Sequence, residues 1–396
     1  MSLIREKVLL WLLCSSVANL LLYTFISFSS SSPGGVSQAR VRPKVLKPDR
    51  VFWKLSLDES ALWNHLQHAL DRAHNPILRN GTAARAVPRL GGRCQPNPGV
   101  STRVRDFNTL PRQVKDFVVS MHCRDYRLVI DQPGLCKGEG PTLLLAIKSQ
   151  VGNFENRQVI RESWGRAGRI GNATVALVFL LGRQHPAWGH FPDLTGLLDL
   201  ERERHGDLLL WDFRDTFFNL TLKDVLFLKW LGRRCPGARY VFKGDDDVFL
   251  NTEALLGHLE SRPSESRDLF LGQVIRDAAP LRNVKQKYYV PESLYEGGYP
   301  AYVGGGGMVY SGDLALRLGR ASDRVVLFPI DDVYMGMCLE KLGVSPTEHP
   351  GFRTFDISEE DRNKPCVYRT LILVHRRTPR EMIWLWESMH DPELKC

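Results

Sequence analysis

From Pro141 onward the chain alternates apolar runs with amphipathic segments, and this alternation restricts the fold more than any other feature. The pattern predicts helices between strands, which build a mostly parallel sheet covered by helices on both faces. In such α/β folds, ligands bind at the carboxyl ends of the strands. The predicted strands are Leu143–Ser149, Val175–Gly182, Asp207–Phe213 and Arg239–Gly244. The predicted helices between them are Phe154–Gly165, Leu194–Arg204 and Asn219–Leu231.

Three adjacent aspartates, Asp245, Asp246 and Asp247, directly follow the fourth predicted strand. Adjacent carboxylates repel one another and need water, a basic partner or a cation. A run of aspartates is often only a solvated turn, but apolar residues on both sides indicate that at least one carboxylate is held inward. The first and third carboxylates of such a turn can converge on Mg²⁺ or Mn²⁺. The cation would then stabilise a diphosphate leaving group.

A second acidic pair, Asp331 and Asp332, follows Pro329 and begins a segment with apolar residues at helical spacing. Acidic residues at a helix N-terminus stabilise the helix dipole, which is the commoner explanation. A carboxylate at this place could also be a general base if a substrate hydroxyl lies within hydrogen-bond reach.

Further candidates carry weaker signals. Arg157 and Arg161 lie four residues apart on one predicted helix face and could meet phosphate, although solvated helix charges are commoner. Lys148 ends an apolar strand, and His375 follows another apolar run, where a structural histidine is the usual finding. The glycine run, Gly304–Gly307, is either a flexible turn or a place where a ligand approaches the backbone.

The N-terminal part of the chain predicts a membrane anchor. Val8–Phe28 is an uncharged run of 21 residues, enough for a spanning helix of about 20 residues. The alternative is a cleaved signal peptide, whose apolar core is shorter. Arg5 and Lys7 favour a cytoplasmic N-terminus. The predicted organisation is a tail at 1–7, an anchor at 8–28, a stem at 29–50, an accessory luminal region at 51–140 and a catalytic domain at 141–396.

Two further signals agree with a luminal chain. Asn80, Asn172 and Asn219 each begin an N-glycosylation triplet. Seven cysteines lie outside the anchor without the close pairs of a zinc site, so disulfides are expected. Because seven is odd, at least one cysteine is free or pairs between chains. The accessory region is expected to be tied down by disulfides.

The formal charge of +9 is modest and dispersed, with no Lys/Arg run of the kind that marks a nucleic-acid surface. Basic residues could equally serve an anionic small substrate such as a nucleotide. No nucleic-acid partner is expected. The oligomeric state, whether the chain assembles with copies of itself or with other enzymes, is left open by the sequence.

Six stretches together resemble one family. In chain order they are "RQVIRESWG", "RDTFFNLTLK", "VFKGDDDVF", "YPAYVGGGGMVYSG", "FPIDDVYMGMCLEKLG" and "GFRTFD". They are similar to the β-1,3-glycosyltransferases of the Golgi, glycosyltransferase family 31, across nearly the whole luminal chain. The glycine run and the "WKLS", "ALWN" and "NPIL" stretches most resemble the N-acetylglucosaminyl branch. Family members are type II membrane enzymes with an anchor, a stem and a luminal GT-A domain.

The resemblance implies a role for each candidate residue. Asp245–Asp247 match the family's DxD motif, which holds Mn²⁺ or Mg²⁺ against the UDP diphosphate, and His375 matches a position that helps to coordinate the metal. Asp332 matches the proposed catalytic base, with Asp331 as its less favoured neighbour. The residues expected on the donor side are Lys148, Arg157, Arg161, Asp246, Gly304, Gly305, Gly306 and Gly307. Two aromatic residues are chosen for stacking on an acceptor sugar: Tyr288 and Tyr289.

The implied activity is inverting transfer of N-acetylglucosamine from UDP-GlcNAc to the 3-hydroxyl of a terminal β-galactose, as in polylactosamine extension. One alternative is a β-1,3-galactosyltransferase on the same scaffold. The other is a membrane-anchored glycan-binding protein that has lost catalysis, although the DxD motif and Asp332 are both intact. The preference among N-glycan, O-glycan and glycolipid acceptors is not visible in the sequence.

Overall fold

The computed structural model describes residues 61–74, 94–184, 192–262 and 267–396. The predicted anchor, the stem and the sequon at Asn80 lie outside these ranges. None of the helices in the described part of the chain has the length and apolar character that crossing a bilayer requires.

The strands and helices follow the alternation expected from the sequence. The strands are β1 (Leu128–Ile130), β2 (Leu143–Lys148), β3 (Gly168–Ile170), β4 (Ala173–Arg183), β5 (Leu208–Arg214), β6 (Tyr240–Asp245), β7 (Val248–Leu250), β8 (Phe270–Gly272), β9 (Val274–Ile275), β10 (Tyr302–Val303), β11 (Gly307–Ser311), β12 (Thr347–Glu348), β13 (Phe352–Arg353) and β14 (Leu373–His375). The helices are α1 (Leu62–His74), α2 (Arg112–Ser120), α3 (Phe154–Glu162), α4 (Thr195–His205), α5 (Leu220–Arg234), α6 (Thr252–Glu260), α7 (Gly312–Ser322), α8 (Asp331–Leu342), α9 (Pro365–Tyr368) and α10 (Pro379–Met389).

The main sheet has the strand order β1-β5-β4-β2-β6-β11-β8-β12, with β3 added beside β4. Its central strands β5, β4, β2 and β6 run parallel. The strands on either side of this centre, β1 and β11, pair antiparallel to it. The prediction of an α/β fold with a parallel centre is therefore confirmed. Because β5, β4, β2 and β6 run the same way, their carboxyl ends meet at one edge of the sheet.

Side chains of the central strands alternate between two hydrophobic cores, one on each face of the sheet. On β2, Leu144 and Ala146 belong to one core, whereas Leu143, Leu145 and Ile147 belong to the other. All five are fully buried, which explains why the sequence reads as a continuous apolar run rather than an alternating one.

A smaller sheet of β13, β14 and β7 stands beside the main sheet. In it β14 pairs antiparallel with β7, with His375 opposite Val248. Since β7 directly follows the aspartate triplet, this pairing brings a histidine from the C-terminal part of the chain to the carboxyl end of β6.

The region predicted as accessory packs directly on the catalytic domain. Leu62 and Trp63 of α1 are buried in the first core, and the Trp63 Nε1–H donates to the carbonyl of Val326 at 3.0 Å. The region also supplies β1, which extends the main sheet at β5. Nothing separates it from the rest of the fold at residue 140.

Three disulfides close the described part of the chain: Cys94–Cys123, Cys136–Cys235 and Cys366–Cys396. The first two involve the accessory region, as expected, and Cys136–Cys235 ties it to the end of α5. Cys338, in α8, is buried and unpaired, so the odd cysteine is free rather than shared between chains. Burial raises the pKa of the Cys338 thiol to about 12.

Candidate active site

A depression of about 250 Å³ lies at the carboxyl ends of β2 and β6. Its walls come from segments that are distant in the sequence. The lining residues are Lys148, Phe217, Leu220, Asp245, Asp247, Lys287, Tyr288, Gly305, Gly306, Asp331, Asp332, His375 and Arg376.

The aspartate triplet divides into two outward carboxylates and one inward carboxylate. Asp245 and Asp247 line the depression, with side chains 29% and 46% exposed. Asp246 is buried and accepts hydrogen bonds from Ser149 at 2.6 Å and from Asn153 at 2.9 Å. Burial raises the pKa of Asp246. Asp246 does not line the depression, and its expected contact with the donor stays a prediction. The expectation that one carboxylate is held inward is correct.

His375 joins the two outward carboxylates. Its Nδ1–H donates to the carbonyl oxygen of Thr354 at 2.9 Å, which leaves Nε2 facing Asp247 Oδ1 at 3.1 Å and Asp245 Oδ2 at 3.8 Å. Burial alone would lower the pKa of His375, but the hydrogen bond with Asp247 raises it above its ordinary value. Conversely, burial opposes ionisation of Asp247, and the contact with His375 lowers the pKa of that carboxyl.

Asp245, Asp247 and His375 fit a divalent cation. Ligand atoms of the three side chains lie within 4.8 Å of one another. Two carboxylates with one imidazole suit Mn²⁺ or Mg²⁺ better than a soft metal. The hydrogen bond from Nδ1 to Thr354 is the kind of outer contact that orients a ligating histidine.

Lys148 lies beneath this cluster and is fully committed to it. Its ammonium group is 2.9 Å from Asp245 Oδ1 and 2.7 Å from Asp331 Oδ2, and the side chain is 3% exposed. Burial alone would lower the pKa of Lys148, but Asp245 and Asp331 hold it well above its usual range. Lys148 therefore fixes Asp245 and cancels the charge of Asp331.

Asp332 differs from its neighbour Asp331 because it forms no ion pair with any residue that the structure describes. Burial, followed by the repulsion from Asp331, raises the pKa of Asp332 well above the ordinary carboxyl range. Its Oδ1 is buried without a hydrogen-bond partner. For Asp331, burial opposes ionisation, but Lys148 lowers its pKa. Among the carboxylates that line the depression, Asp332 is therefore the strongest candidate to accept a proton.

Two glycines of the run lie in the floor of the depression. A Cβ at Gly305 would come within 2.6 Å of Asp332 Oδ2, and one at Gly306 within 3.1 Å of the His375 ring. Gly304 and Gly307 do not line the depression and pack instead against Thr354 and Leu373. The run therefore allows the backbone just before β11 to lie close to both the candidate base and the histidine.

The two arginines expected on the donor side have internal partners. Arg157 is fully buried, forms a bidentate ion pair with Glu201 at 2.8 and 2.7 Å, and donates to the carbonyl of Val151 at 3.0 Å. Arg161 pairs with Glu201 at 2.7 Å and with Asp207 at 2.7 Å. Neither lines the depression. Donor contact by these arginines stays a prediction, and the structure gives their guanidinium groups another task, the support of the segment after β2.

The two tyrosines chosen for the acceptor are placed differently. Tyr288 is 44% exposed, lines the depression, and packs edge-on against Phe217 with ring centroids 5.3 Å apart. Tyr289 does not line it and packs against the core.

Several site residues carry no signal that sequence reasoning used. Phe217, Lys287 and Arg376 line the depression from turns and loops, whose conformation the sequence does not predict. Lys243 on β6 forms a buried ion pair with Asp224 on α5. A lysine inside an otherwise apolar strand was the available signal for Lys243.

A larger cavity of about 500 Å³ adjoins the depression and shares Phe217 with it. Gln150, Gln184 and Asp215, which follow β2, β4 and β5, line one side of it. Residues of the accessory region, including Phe117 of α2, line the other. The cavity occupies the edge where parallel sheets bind their ligands, although the candidate catalytic carboxylates lie in the smaller depression.

The sequons within the described residues differ in exposure. Asn172 is exposed in the turn between β3 and β4. Asn219 is half-buried, and its side-chain amide donates to the carbonyl of Arg214 at 2.8 Å, while Thr221 of the same triplet is buried. The folded chain therefore presents Asn172 rather than Asn219.

Comparison with known proteins shows which family the chain belongs to. The Galactosyltransferase family matches residues 155–350. The N-acetyllactosaminide β-1,3-N-acetylglucosaminyltransferase 2 of Mus musculus is 49% identical over 387 residues, covering 96% of each chain. The Homo sapiens protein of the same name is 48% identical over 388 residues, again covering 96% of each chain.

More distant relatives match a shorter stretch. The acetylgalactosaminyl-O-glycosyl-glycoprotein β-1,3-N-acetylglucosaminyltransferase of Homo sapiens is 43% identical over 298 residues, covering 74% of this chain and 77% of that protein. Among solved structures, the WbbM bifunctional glycosyltransferase covers 59% of this chain at 14% identity with a TM-score of 0.31, a likeness too weak to bear on the fold. The identities at nearly full length confirm the resemblance: this chain belongs to the β-1,3-glycosyltransferases of glycosyltransferase family 31.

Proposed function

We propose that the protein transfers N-acetylglucosamine from UDP-GlcNAc to the 3-hydroxyl of a terminal β-galactose, with inversion, and so extends polylactosamine chains. The observation that carries this proposal is the meeting of Asp245, Asp247 and His375 with the unpaired Asp332 in one depression. The full-length relatives are named N-acetyllactosaminide β-1,3-N-acetylglucosaminyltransferase 2, which favours N-acetylglucosamine over galactose as the transferred sugar.

Asp245, Asp247 and His375 would hold the divalent cation, Mn²⁺ or Mg²⁺. When bound, the cation would neutralise the diphosphate of the donor and stabilise UDP as a leaving group. Lys148 holds the Asp245 side chain in place through the 2.9 Å ion pair. The hydrogen bond from Nδ1 to Thr354 directs Nε2 of His375 toward Asp245 and Asp247, where the deprotonated nitrogen would be a ligand of the cation.

Asp332 would act as the general base. It takes the proton from the acceptor 3-hydroxyl as that oxygen attacks the anomeric carbon. The donor is α-linked and the product β-linked, so one displacement inverts the carbon and no covalent enzyme intermediate is needed. The absence of a positive partner for Asp332 makes it a better proton acceptor than Asp331, which Lys148 neutralises.

Tyr288 would contact the acceptor sugar, because its exposed ring forms one wall of the depression. The setting we propose is a Golgi membrane protein of type II with a luminal catalytic domain, anchored by Val8–Phe28 and glycosylated at Asn172. The uncharged run and the exposed sequon support this setting.

The test is a transfer assay with the purified full-length chain, Mn²⁺ and a lactosamine acceptor. UDP-GlcNAc and UDP-galactose are supplied separately, and the linkage formed is identified by NMR. We expect a β-1,3-linked N-acetylglucosamine product and release of UDP only with UDP-GlcNAc. Transfer of galactose to an N-acetylglucosamine acceptor would establish the alternative enzyme. Glycan binding without turnover of either donor would establish the non-catalytic alternative.

A further inference from the structure

Arg376 directly follows His375 and has a backbone φ of 62°. This is the left-handed region, which glycine adopts freely and which arginine rarely adopts, because its Cβ crowds the backbone there. Asparagine and aspartate can compensate with a local side-chain hydrogen bond, but a guanidinium group at the end of a long side chain gains nothing locally. An arginine at this backbone position is therefore unusual and needs a structural or functional explanation.

Hydrogen bonds to the peptide group that follows Arg376 hold the strained conformation in place. The backbone N–H of Arg377 donates to the carbonyl of Asp247 at 2.7 Å. The carbonyl of Arg376 accepts from Arg362 Nη2 at 2.8 Å and from Arg377 Nη1 at 3.0 Å. Arg377 itself is 1% exposed and is fixed by Asp356 at 2.6 Å. A residue held in this way beside a candidate metal ligand is the kind of outlier from which a functional role is inferred.

The Arg376 side chain lines the depression and is exposed. Within residues 61–74, 94–184, 192–262 and 267–396, its guanidinium group has no hydrogen bond, ion pair or ring contact. Lys287 lines the same depression from the loop between β9 and β10. Its ammonium lies 4.5 Å from the centroid of the Phe217 ring and 5.4 Å from that of Tyr288, and among the described residues no carboxylate pairs with it.

The charges of the depression explain what such cations could bind. Of its basic residues, Lys148 is already committed to Asp245 and Asp331. Arg376 and Lys287 are uncommitted. An anion brought to this place by a metal ion on the aspartates would still carry charge on its outer oxygens, and guanidinium and ammonium groups are the usual partners of phosphate oxygens.

We infer that Arg376 and Lys287 bind the β-phosphate of the nucleoside diphosphate donor. This inference rests on the function proposed above. During transfer the acceptor oxygen bonds to the anomeric carbon, its proton passes to Asp332, and the electron pair of the breaking bond goes to a β-phosphate oxygen. Both cations would then stabilise the oxygen on which negative charge develops.

The experiment measures competitive inhibition by UDP and by UMP, which lacks the β-phosphate, on the full-length enzyme with Mn²⁺. For Arg376→Gln we expect UDP to bind about 10- to 100-fold more weakly, the usual effect of losing a hydrogen bond to a charged group. For Lys287→Met we expect UDP to bind about tenfold more weakly. The affinity for UMP and the KM of the acceptor should change less than about threefold in both variants. Arg380→Gln and Lys285→Met, which remove exposed cations outside the depression, are the matched controls.

Arg376→Gly separates the side chain from the strained backbone. Glycine adopts this φ without strain, so we expect the melting temperature of the variant to be at or above that of the wild type. Its affinity for UDP should fall by the same factor as in Arg376→Gln. The inference is overturned if Arg376→Gln and Arg376→Gly bind UDP as tightly as the wild type does. It is also overturned if the affinities for UDP and for UMP fall by the same factor. A wild-type enzyme that binds no UDP in the presence of Mn²⁺ would instead refute the proposed function.

Discussion

Two clusters of charged residues lie near the parallel strands, and they differ in how completely their charges are matched. In the first, Arg157 and Arg161 meet Glu201 and Asp207 in ion pairs of 2.7–2.8 Å, with side chains no more than 11% exposed. In the second, the depression, Asp332 has no cationic partner within the described part of the chain, and Asp247 is 46% exposed.

The difference teaches how to separate support from chemistry in this fold. A buried cluster whose charges cancel has little capacity left for a ligand. A cluster with excess carboxylates at a solvent-accessible surface is stable only when a cation, a proton or water joins it. The depression thus has the unmatched charge that substrate and metal would complete, and the arginine cluster does not.

The largest effect is expected from a substitution that removes a carboxylate from the depression. Asp247→Ala should reduce transfer to background, because the remaining ligands would hold the cation poorly. Since Asp247 is half exposed, the melting temperature should change little. Activity is measured with graded Mn²⁺, and chelation of the wild-type enzyme should have the same effect as the substitution. Full turnover of the wild type in excess EDTA would remove the cation from the mechanism.

Asp332→Asn should lower kcat by about 10²–10⁴-fold while UDP binding survives. Because burial disfavours the ionised carboxylate, the melting temperature at neutral pH should stay at or above that of the wild type. Asp331→Asn is the contrasting variant: it leaves the buried Lys148 with one partner fewer, so it should lose stability. An Asp332→Asn enzyme within about tenfold of wild-type kcat would exclude this residue as the base.

Arg157→Met tests the matched cluster. Removing one side of a buried ion pair should lower the free energy of unfolding by about 3 kcal/mol. This loss lies at the low end of the usual range because Glu201 still forms its ion pair with Arg161. If the role is support alone, the KM for UDP-GlcNAc of the folded fraction should be unchanged. A raised KM with unchanged unfolding in urea would show that the arginine contacts the donor after all. Arg202→Met, which removes an exposed arginine of α4, is the control.

The smallest effect is the shape of the pH profile. Asp332 must be ionised to accept a proton, and its pKa is raised, so kcat/KM should fall with decreasing pH above the ordinary carboxyl range. Stability should respond in the opposite direction. Between the ordinary carboxyl pKa and the raised one the native state binds more protons than the unfolded state, so unfolding becomes easier as pH rises through that window. The slope should be shallower in Asp332→Asn, because the raised pKa of Asp246 still contributes to it.

The sequence predicted the parts of the site that follow regular elements. Asp245–Asp247 end a strand and Asp332 begins a helix, so apolar periodicity placed both correctly at the ends of their elements. Lys148 was identified for the same reason. The arginines of α3 could not be interpreted in this way, because their partner Glu201 lies on another helix, 44 residues from Arg157 in the sequence. Lys287 and Arg376 come from loops, where pairing and backbone strain depend on tertiary contacts alone.

The rate at which the Cys338 thiol is chemically labelled can report how often this fold opens. Its thiol is enclosed in α8, the helix that Asp331 and Asp332 begin, while the other cysteines of the described chain are blocked in disulfides. An alkylating reagent can therefore reach Cys338 only in molecules whose α8 has come away from the core. When reclosing is faster than labelling, the labelling rate reports the population of that opened state. Donor and metal ion should slow modification of Cys338 by binding the closed form, so occupancy of the catalytic depression could be followed by mass spectrometry without any turnover.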